Sequence, residues 1–314
     1  MRNLTLKQLR AVARIATEGK IVNAAKQLGL TAPAVTLQVQ ALEDELGIAL
    51  FDRLSDGMRP TAAGLAAIEA ARAIEEQLLL LSDRIGALKG LTRGHLRLGV
   101  VSTAKYFAPR IIAAFGREYP GLEIDLKVGN REEIIQALDT HAVDIALMGR
   151  PPKDVPVRAQ VFGDHPLVIV APPDHPLAGK REVSCERIAA EKFLVREPGS
   201  GTRISLEIFF SRVSAKLDNI GVEMGSNETI KQAVMAGLGV AFISAHTIEA
   251  EVQSGRLVIL DVEGPPIRGQ WFAVARADRH ETPVMAAFSA FLAKKGAQFL
   301  PVAAPLYRDQ SVPA

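Results

Sequence analysis

The chain has 314 residues, of which 48% are hydrophobic, 23% are charged and 5% are aromatic, a balance that excludes disordered and fibrous proteins. This length exceeds what one hydrophobic core usually supports, so two or three domains are predicted. Thirty-seven basic residues against 35 acidic ones leave a net charge of +2, so any nucleic-acid-binding surface must come from local clustering of charge.

Cysteine content and hydropathy indicate the compartment. The single cysteine, Cys185, excludes an internal disulfide and is typical of a reducing environment. Charges recur every few residues at the amino terminus, which lacks the apolar stretch of a signal peptide, and no window holds about 20 consecutive apolar residues. We therefore predict a cytoplasmic protein with no membrane partner.

The pattern of apolar residues changes near residue 92. Before this point apolar residues recur at helical spacing. After it, apolar runs predict strands at 95–101, 122–128, 144–149, 166–173 and 192–197. Helices are predicted between several of these strands, at 109–119 and 131–141. Strands separated by helices predict an α/β region with a mostly parallel sheet.

The first 46 residues predict three short helices: one over 6–17, one within 23–30 and one that starts at Ala32. Gly29 ends the second helix, and Thr31 can cap the third. Apolar residues of the third helix share one face, at Val35, Val39, Leu42 and Leu46. The opposite face consists of Pro33, Thr36, Leu37 and Gln40. We predict that this face enters a DNA groove.

Local charge supports this interpretation. Residues 1–41 hold six basic side chains and one acidic one, an excess expected of a phosphate-contacting surface, although such runs are often plain solvated faces. Residues 53–59 predict a wing in which Arg53 and Arg59 contact the DNA backbone, while Asp52 and Asp56 weaken that contact.

Residues 64–90 predict a long helix with a heptad seam. Its members follow three-four spacing, at Gly64, Ala67, Ala71, Ile74, Leu78, Leu81, Ile85 and Leu88. A narrow apolar stripe favours pairing with a second helix, most firmly from Ile74 to Leu88. The alternative is a helix that lies on its own domain.

The run AAKQLGLTAPAVTLQVQALEDELGIALFDR at residues 24–53 resembles the DNA-binding domain of LysR-type transcriptional regulators. That family carries AAxxL, a Pro-Ala-Val-Ser/Thr-x-Gln core, LExxLG and LFxR. Many members have glutamine and a basic residue where this chain has Ala32 and Leu37. Thr36 and Gln40 would then supply hydrogen bonds to bases, and Leu37 or Ala32 would contact a thymine methyl group.

The resemblance implies an α plus α/β architecture: a winged helix-turn-helix domain (1–62), a dimerising linker helix (63–92) and a two-lobed α/β effector domain of the periplasmic-binding-protein type (93–314). Lobe I would hold about 93–166 and 268–300, and lobe II about 167–267. Small molecules bind between such lobes, near the carboxyl ends of strands.

Three strand-end loops are expected to line that cleft, and Arg150 after the strand at 144–149 would add a positive group. The candidate effector-binding residues of the loops are Ser102, Thr103 and Lys105; Arg196, Ser200, Gly201, Thr202 and Arg203; and Asn227 and Glu228. Hydroxyls, helix amino termini and arginines suit a phosphate or carboxylate. The glycine loop could instead be a plain turn and helix cap, and Lys105 a solvated lysine.

Several stretches look like one branch of the family, the regulators of the Calvin-cycle (RuBisCO) operon; they are 31–47, 195–203, 237–264 and 268–278. This resemblance implies an activator that responds to a phosphorylated sugar, phosphoenolpyruvate or NADPH. It also implies a homodimer or homotetramer on promoter DNA that contacts RNA polymerase. Open alternatives are a LysR-type regulator of sulfur, nitrogen or aromatic metabolism and, from another class, a solute-binding protein.

An enzyme is not predicted. The run GLGVAF lacks the dinucleotide-binding glycine spacing, no phosphate-binding G-x-x-x-x-G-K is present, and PGSGT is not a nucleophile elbow. Histidines are scattered without a metal-binding pair, so neither a metal site nor a cofactor is expected.

Overall fold

The computed structural model describes residues 4–54, 57–88, 93–212, 219–264 and 267–302, which form two compact units that divide between Ile85 and Gly86. Secondary structure of the first unit comprises α1 (Leu6–Glu18), α2 (Ile21–Leu28), α3 (Ala32–Leu46), β1 (Phe51–Leu54), β2 (Gly57–Pro60) and α4 (Ala62–Leu88), whose last turn enters the second unit. Within the described residues, no helix is long and apolar enough to span a bilayer.

Local signals explain where the first three helices begin and end. The Thr5 side chain accepts a hydrogen bond from the backbone N–H of Gln8, whose side chain accepts in turn from the Thr5 N–H, so α1 starts with a capping box. Gly29 ends α2 in the left-handed conformation at φ 65°. The Thr31 side chain caps α3, as predicted. Helix α2 begins two residues earlier than expected, at Ile21.

The first unit has one apolar core, formed by the buried faces of α1, α2 and α3 and the start of α4. The predicted inner face of α3 is confirmed, because Val35, Val39 and Leu42 are buried and Leu46 packs against the core. Gly64 lets α4 approach Leu50, the residue before β1, since a Cβ at Gly64 would lie 2.0 Å from the Leu50 carbonyl oxygen.

The seam of α4 changes along the helix. Near its start, Gly64 and Ala71 are buried and Ala67 packs against the core of the first unit. Further along, Ile74, Leu81 and Ile85 are exposed. The helix thus lies on its own domain at one end and presents an apolar stripe at the other. The side chain of Leu88 lies outside the described part of the chain.

The second unit alternates helices and strands. Its helices are α5 (Ala108–Glu118), α6 (Arg131–Asp139), α7 (Cys185–Ala189), α8 (Gly201–Arg212), α9 (Asn227–Met235), α10 (Glu249–Gln253) and α11 (Pro283–Lys295). Its strands are β3 (Gly94–Val101), β4 (Leu122–Gly129), β5 (Ile145–Met148), β6 (Val157–Ala171), β7 (Phe193–Arg196), β8 (Ile220–Met224), β9 (Val240–Ser244), β10 (Val258–Ile259) and β11 (Ile267–Arg276).

The described strands of this unit form one sheet, in the order β4-β3-β5-β11-β6-β9-β7-β8, with β10 beside β6. Parallel pairs β3–β4 and β3–β5 build lobe I, and parallel pairs β7–β8 and β7–β9 build lobe II. The long strands β6 and β11 pair antiparallel with each other and run through both lobes. The sheet is therefore mixed rather than mostly parallel, because the two crossing strands run opposite ways.

Each lobe has its own apolar core. That of lobe I includes Phe107, Phe115 and Phe288 and reaches Trp271 on β11. In lobe II, buried side chains lie on both faces of the sheet, around Phe193 on one face and Ile243 on the other. Since the cores are separate, the connection between the lobes rests on the crossing strands and on contacts across the cleft.

Candidate functional site

The predicted DNA-reading face of α3 is on the surface of the first unit. Pro33, Leu37 and Gln40 are exposed, with 65% of Leu37 accessible to solvent. Ala32 is half-buried. Thr36 is also half-buried, and its hydroxyl donates to the Ala32 carbonyl oxygen at 3.0 Å. That hydroxyl can still accept a hydrogen bond but has already used its only proton.

The predicted wing is an antiparallel hairpin. Asp52 lies opposite Arg59, and Arg53 lies opposite Met58. Because directly paired residues point to the same side of a ribbon and neighbours alternate, Arg53 and Arg59 project from opposite faces. Both side chains are exposed. The predicted Asp56 lies outside the described residues.

The basic excess of the first helices is reduced by an ion pair. The Arg10 side chain on α1 contacts the Glu75 carboxylate on α4. Lys7, Arg14 and Lys26 are exposed. Arg10 is thus held against α4, and the exposed Lys7, Arg14 and Lys26 are more available than Arg10 to an anionic partner.

In the second unit a cavity of about 600 Å³ lies between the lobes, at the carboxyl ends of β3 and β5 and the amino terminus of α8. It brings together six of the predicted residues, which are Ser102, Thr103, Arg150, Ser200, Gly201 and Thr202. It also includes Arg131, His165 and Phe209, which the sequence reasoning missed. Its described lining includes no aspartate or glutamate.

The polar end of the cavity is positively charged. Arg131 begins α6 and lies beside Gly201, since a Cβ added to Gly201 would be 3.4 Å from the Arg131 Cδ. The Arg131 Nε is buried without a hydrogen-bond partner in the described structure. Burial, and then the nearby charge of Arg150, lower the pKa of Arg131. An anion between these arginines would relieve their repulsion and satisfy that N–H.

The other end of the cavity is apolar. The face of α8 that starts with Gly201 continues to Ile208 and Phe209. Leu167 on β6 and Ile267 on β11 lie opposite each other in register and complete this end. Polar and apolar groups on one helix face fix the orientation of a ligand that has an anionic group and a carbon body.

The cavity floor carries a buried histidine. The His165 ring stacks on Trp271 at 3.9 Å, and Trp271 Nε1 donates to His246 Nδ1 at 3.0 Å. Burial lowers the pKa of His165 to about 3 and that of His246 to about 4. Both imidazoles are therefore neutral at neutral pH, so the positive charge of the cavity comes from arginine.

Arg196 and Asn227 do not line the cavity. Arg196 ends β7 with its side chain buried, and its guanidinium binds Glu197 and the Asn227 side chain. It also donates to Ser102 Oγ at 3.2 Å. These contacts use the Arg196 donors within the protein, so its predicted role as an anion ligand has no support in the geometry.

Arg203, Lys105 and Glu228 are also placed elsewhere. Arg203 lies in the first turn of α8, and hydrogen bonds to Glu223 and Glu207 raise its pKa. Lys105 is exposed, with its ammonium 5.3 Å from the Tyr106 ring centre. Glu228 accepts a hydrogen bond from Tyr106 and forms an ion pair with Lys231.

Arg131 and His165, the two polar cavity residues that were not predicted, differ in whether the sequence pattern could have indicated them. Arg131 directly follows strand β4 and its helix cap Asn130, which is the same strand-end position that identified Ser102. His165 gave no signal, because the predicted strand began at residue 166 whereas β6 begins at Val157. Among the described residues, no group of three or more His, Cys, Asp or Glu side chains could hold a metal ion.

A winged helix-turn-helix joined to a two-lobed α/β unit with a ligand-sized cleft defines a DNA-binding regulator. Family models agree: the LysR substrate binding domain matches residues 89–297, and the bacterial regulatory helix-turn-helix of the lysR family matches residues 6–65. The chain belongs to the LysR family of transcriptional regulators, as the motifs at 24–53 predicted.

Curated relatives match nearly the whole chain. It is 64% identical over 307 residues to the HTH-type transcriptional regulator CbbR of Rhizobium meliloti (strain 1021), with 98% of each chain covered. It is 45% identical over 296 residues to the RuBisCO operon transcriptional regulator of Allochromatium vinosum, with 94% of this chain and 98% of that protein covered. The predicted resemblance to this branch is confirmed, and these relatives are named regulators rather than enzymes.

Solved structures share the fold. The regulatory domain of Synechocystis PCC6803 CcmR in complex with 2-PG has a TM-score of 0.62 and 38% identity, with 64% of this chain and 97% of that chain covered. Full-length CbnR complexed with its target DNA has a TM-score of 0.63 at 20% identity, with 93% and 99% covered. The predicted architecture of a helix-turn-helix followed by a two-lobed domain is confirmed.

Proposed function

We propose that this chain is a cytoplasmic activator of carbon-fixation genes, the RuBisCO operon, and that a phosphorylated metabolite in the interlobe cavity controls it. The names of the relatives support the target, since they are regulators of the CbbR and RuBisCO operon type. The CcmR regulatory domain, solved with 2-PG, supports a small ligand in this fold.

The positively charged end of the cavity carries the proposal. Arg131 and Arg150 face a space whose described lining has no carboxylate, beside the hydroxyls of Ser102, Ser200 and Thr202. The amino terminus of α8 adds free N–H groups and the positive end of a helix dipole. Such a site favours a dianion, such as a phosphate group, over a neutral solute.

On DNA, the exposed face of α3 would read bases in the major groove, while Arg53 and Arg59 contact the backbone. The exposed stripe of α4 would pair with a second copy and set two half-sites at a fixed spacing, within a dimer or tetramer. Effector binding would then change how the protomers pack, and with it DNA bending and contact with RNA polymerase.

Calorimetry tests the effector. Purified full-length protein would be titrated separately with 2-PG, phosphoenolpyruvate, ribulose bisphosphate and NADPH. Saturable heat is expected from at least one of them, and from the same ligand with Arg117→Gln, which alters an exposed arginine on α5. The absence of heat from all four would overturn the phosphorylated-effector proposal and favour a LysR-type regulator of another pathway.

A footprint tests the target. Promoter DNA upstream of the RuBisCO operon of the source organism would be compared with promoters of sulfur, nitrogen and aromatic metabolism at equal salt, because affinity depends on counterion release. Protection of two symmetric half-sites is expected only on the first. Protection of another promoter alone would overturn the assignment of the pathway.

A further inference from the structure

A cluster of polar side chains joins the lobes beside the cavity and is not part of its lining. Tyr106 belongs to a 3₁₀ turn of lobe I, Ala104–Tyr106, that directly follows the cavity residue Thr103. Its partners lie in lobe II: Glu228 and Lys231 on α9 and Glu251 on α10.

Lys231 is the centre of this cluster. Its ammonium is 2.9 Å from the Glu251 carboxylate and 3.0 Å from the Glu228 carboxylate, and only 3% of the residue is exposed. A buried lysine is tolerated where such partners compensate for the lost hydration. Lobe II therefore presents a paired but buried positive charge at its border with lobe I.

Tyr106 covers that charge from the other lobe. Its ring centre is 4.8 Å from the Lys231 ammonium, and its hydroxyl donates to Glu228 Oε2 at 3.0 Å. Burial, reinforced by the hydrogen bond to Glu228, raises the pKa of Tyr106, so the phenol keeps its proton. A ring over a desolvated cation and a bond to a carboxylate are two attractions that end when the lobes separate.

Further contacts join the lobes nearby, including two hydrogen bonds. Arg196 donates to Ser102 Oγ at 3.2 Å, and the Glu132 N–H donates to the Gly199 carbonyl oxygen at 3.3 Å. Ser102 also lines the cavity, so the geometry of the cavity wall depends on the separation of the lobes.

We propose that Tyr106, Glu228, Lys231 and Glu251 form a latch that holds the two lobes together across the cleft and thereby positions the walls of the cavity. The latch is made by the chain itself, so it sets how far the lobes open before any ligand contributes. Tyr106 is a positioning residue, since it acts through Ser102 and Thr103 rather than by touching the cavity.

The Glu132 amide provides a direct measure of opening. Glu132 lies in the first turn of α6, where a backbone N–H has no carbonyl partner within the helix, so its protection comes from Gly199 across the cleft. The next amide, Glu133, is bound by the Asn130 side chain within lobe I. Hydrogen exchange at single-residue resolution can therefore separate lobe opening at Glu132 from local fraying at Glu133.

The experiment uses the full-length chain with Tyr106→Phe, which keeps the ring, and Tyr106→Leu, which removes both attractions. Exchange of the Glu132 amide is expected to be about threefold faster in the first and about tenfold faster in the second, with Glu133 unchanged. Tyr119→Phe removes a phenol hydroxyl elsewhere in lobe I and should leave both amides unchanged. Lys231 is not substituted, because the loss of its charge would leave Glu251 buried without a cation.

Unchanged exchange at Glu132 in Tyr106→Leu, or equal acceleration at Glu132 and Glu133, would overturn the latch. A second measurement, which rests on the proposed function, is the rate of ligand release. Dissociation of 2-PG should be faster from Tyr106→Leu than from the unmodified chain. Should 2-PG fail to bind either protein, the dissociation measurement is made with whichever of phosphoenolpyruvate, ribulose bisphosphate and NADPH binds. Binding of none of the four would overturn the effector proposal, while the exchange result would still decide the latch.

Discussion

Arg131→Gln offers the sharpest test of the interlobe cavity, because the substitution removes one positive charge and keeps a polar side chain. Arg131 lies against Gly201 at the start of α8, with its Nε buried and without a partner in the described structure. In the proposed complex its guanidinium would bind the effector anion, so the substitution removes a contact that forms on binding.

The expected magnitude follows from this geometry. A hydrogen bond to a charged group contributes about 1.5 to 3 kcal/mol, and about 1.4 kcal/mol corresponds to a tenfold change in Kd. Arg131→Gln should therefore raise the effector Kd by about 10- to 100-fold. Burial and the charge of Arg150 disfavour the Arg131 cation in the free protein, and its hydrogen bond to the Pro151 carbonyl oxygen is long at 3.3 Å, so thermal stability should stay the same or increase.

Calorimetric titration measures the effector Kd, and a thermal melt measures the Tm. Both are compared with the Arg117→Gln control. Weaker binding without a loss of stability is the expected pair of results. An unchanged Kd would refute the assignment of Arg131 to the anion site. Weaker binding with a lower Tm would refute the argument that its charge is strained in the free protein.

Three further predictions concern DNA reading, assembly and acid stability. Leu37→Ala should weaken specific operator binding by about 1 kcal/mol by fluorescence anisotropy, with non-specific binding unchanged; an equal loss on both DNAs would contradict base contact. Leu81→Asp should reduce the sedimentation coefficient, whereas Leu65→Asp, equally exposed but off the seam, should not; a shared effect would refute pairing through α4. Burial lowers the pKa of His165 to about 3 and that of His246 to about 4, so the unfolded chain takes up protons below about pH 6.5 that the folded chain does not. In urea unfolding, the free energy of unfolding should be highest above about pH 6.5 and should fall on acidification by up to about 1.4 kcal/mol per pH unit for each histidine. His246→Gln should reduce this slope, and equal free energies of unfolding at about pH 7 and about pH 5 would contradict the prediction.

Periodic patterns in the sequence predicted the elements that bury one face. The three-four spacing of Val35, Val39 and Leu42 placed the core side of α3 correctly, because one helix face must pack against its domain. The same spacing in α4 does not distinguish the buried Ala71 from the exposed Leu81. That difference depends on where the helix leaves its own domain.

Long-range contacts limited the prediction of the cavity. Arg196 and Arg203 follow the glycine loop pattern of an anion site, yet Glu197, Asn227 and Glu223 bind them within the protein. Part of this could be read locally, because Glu207 lies one turn after Arg203 and suits an ion pair. Glu197 is likewise adjacent to Arg196 in the sequence, whereas Asn227 meets Arg196 only once α9 packs beside β7.

The central claim is that an anion in the interlobe cavity changes how the protein holds its promoter. The direct measurement is a DNase I footprint with bend-angle analysis, made with and without the effector that calorimetry identifies. The unmodified chain should change its protection pattern and bend angle on addition of the effector, while Arg131→Gln should bind the same promoter and show no change at that concentration. The same shift in both proteins would place the effector outside this cavity and contradict the account.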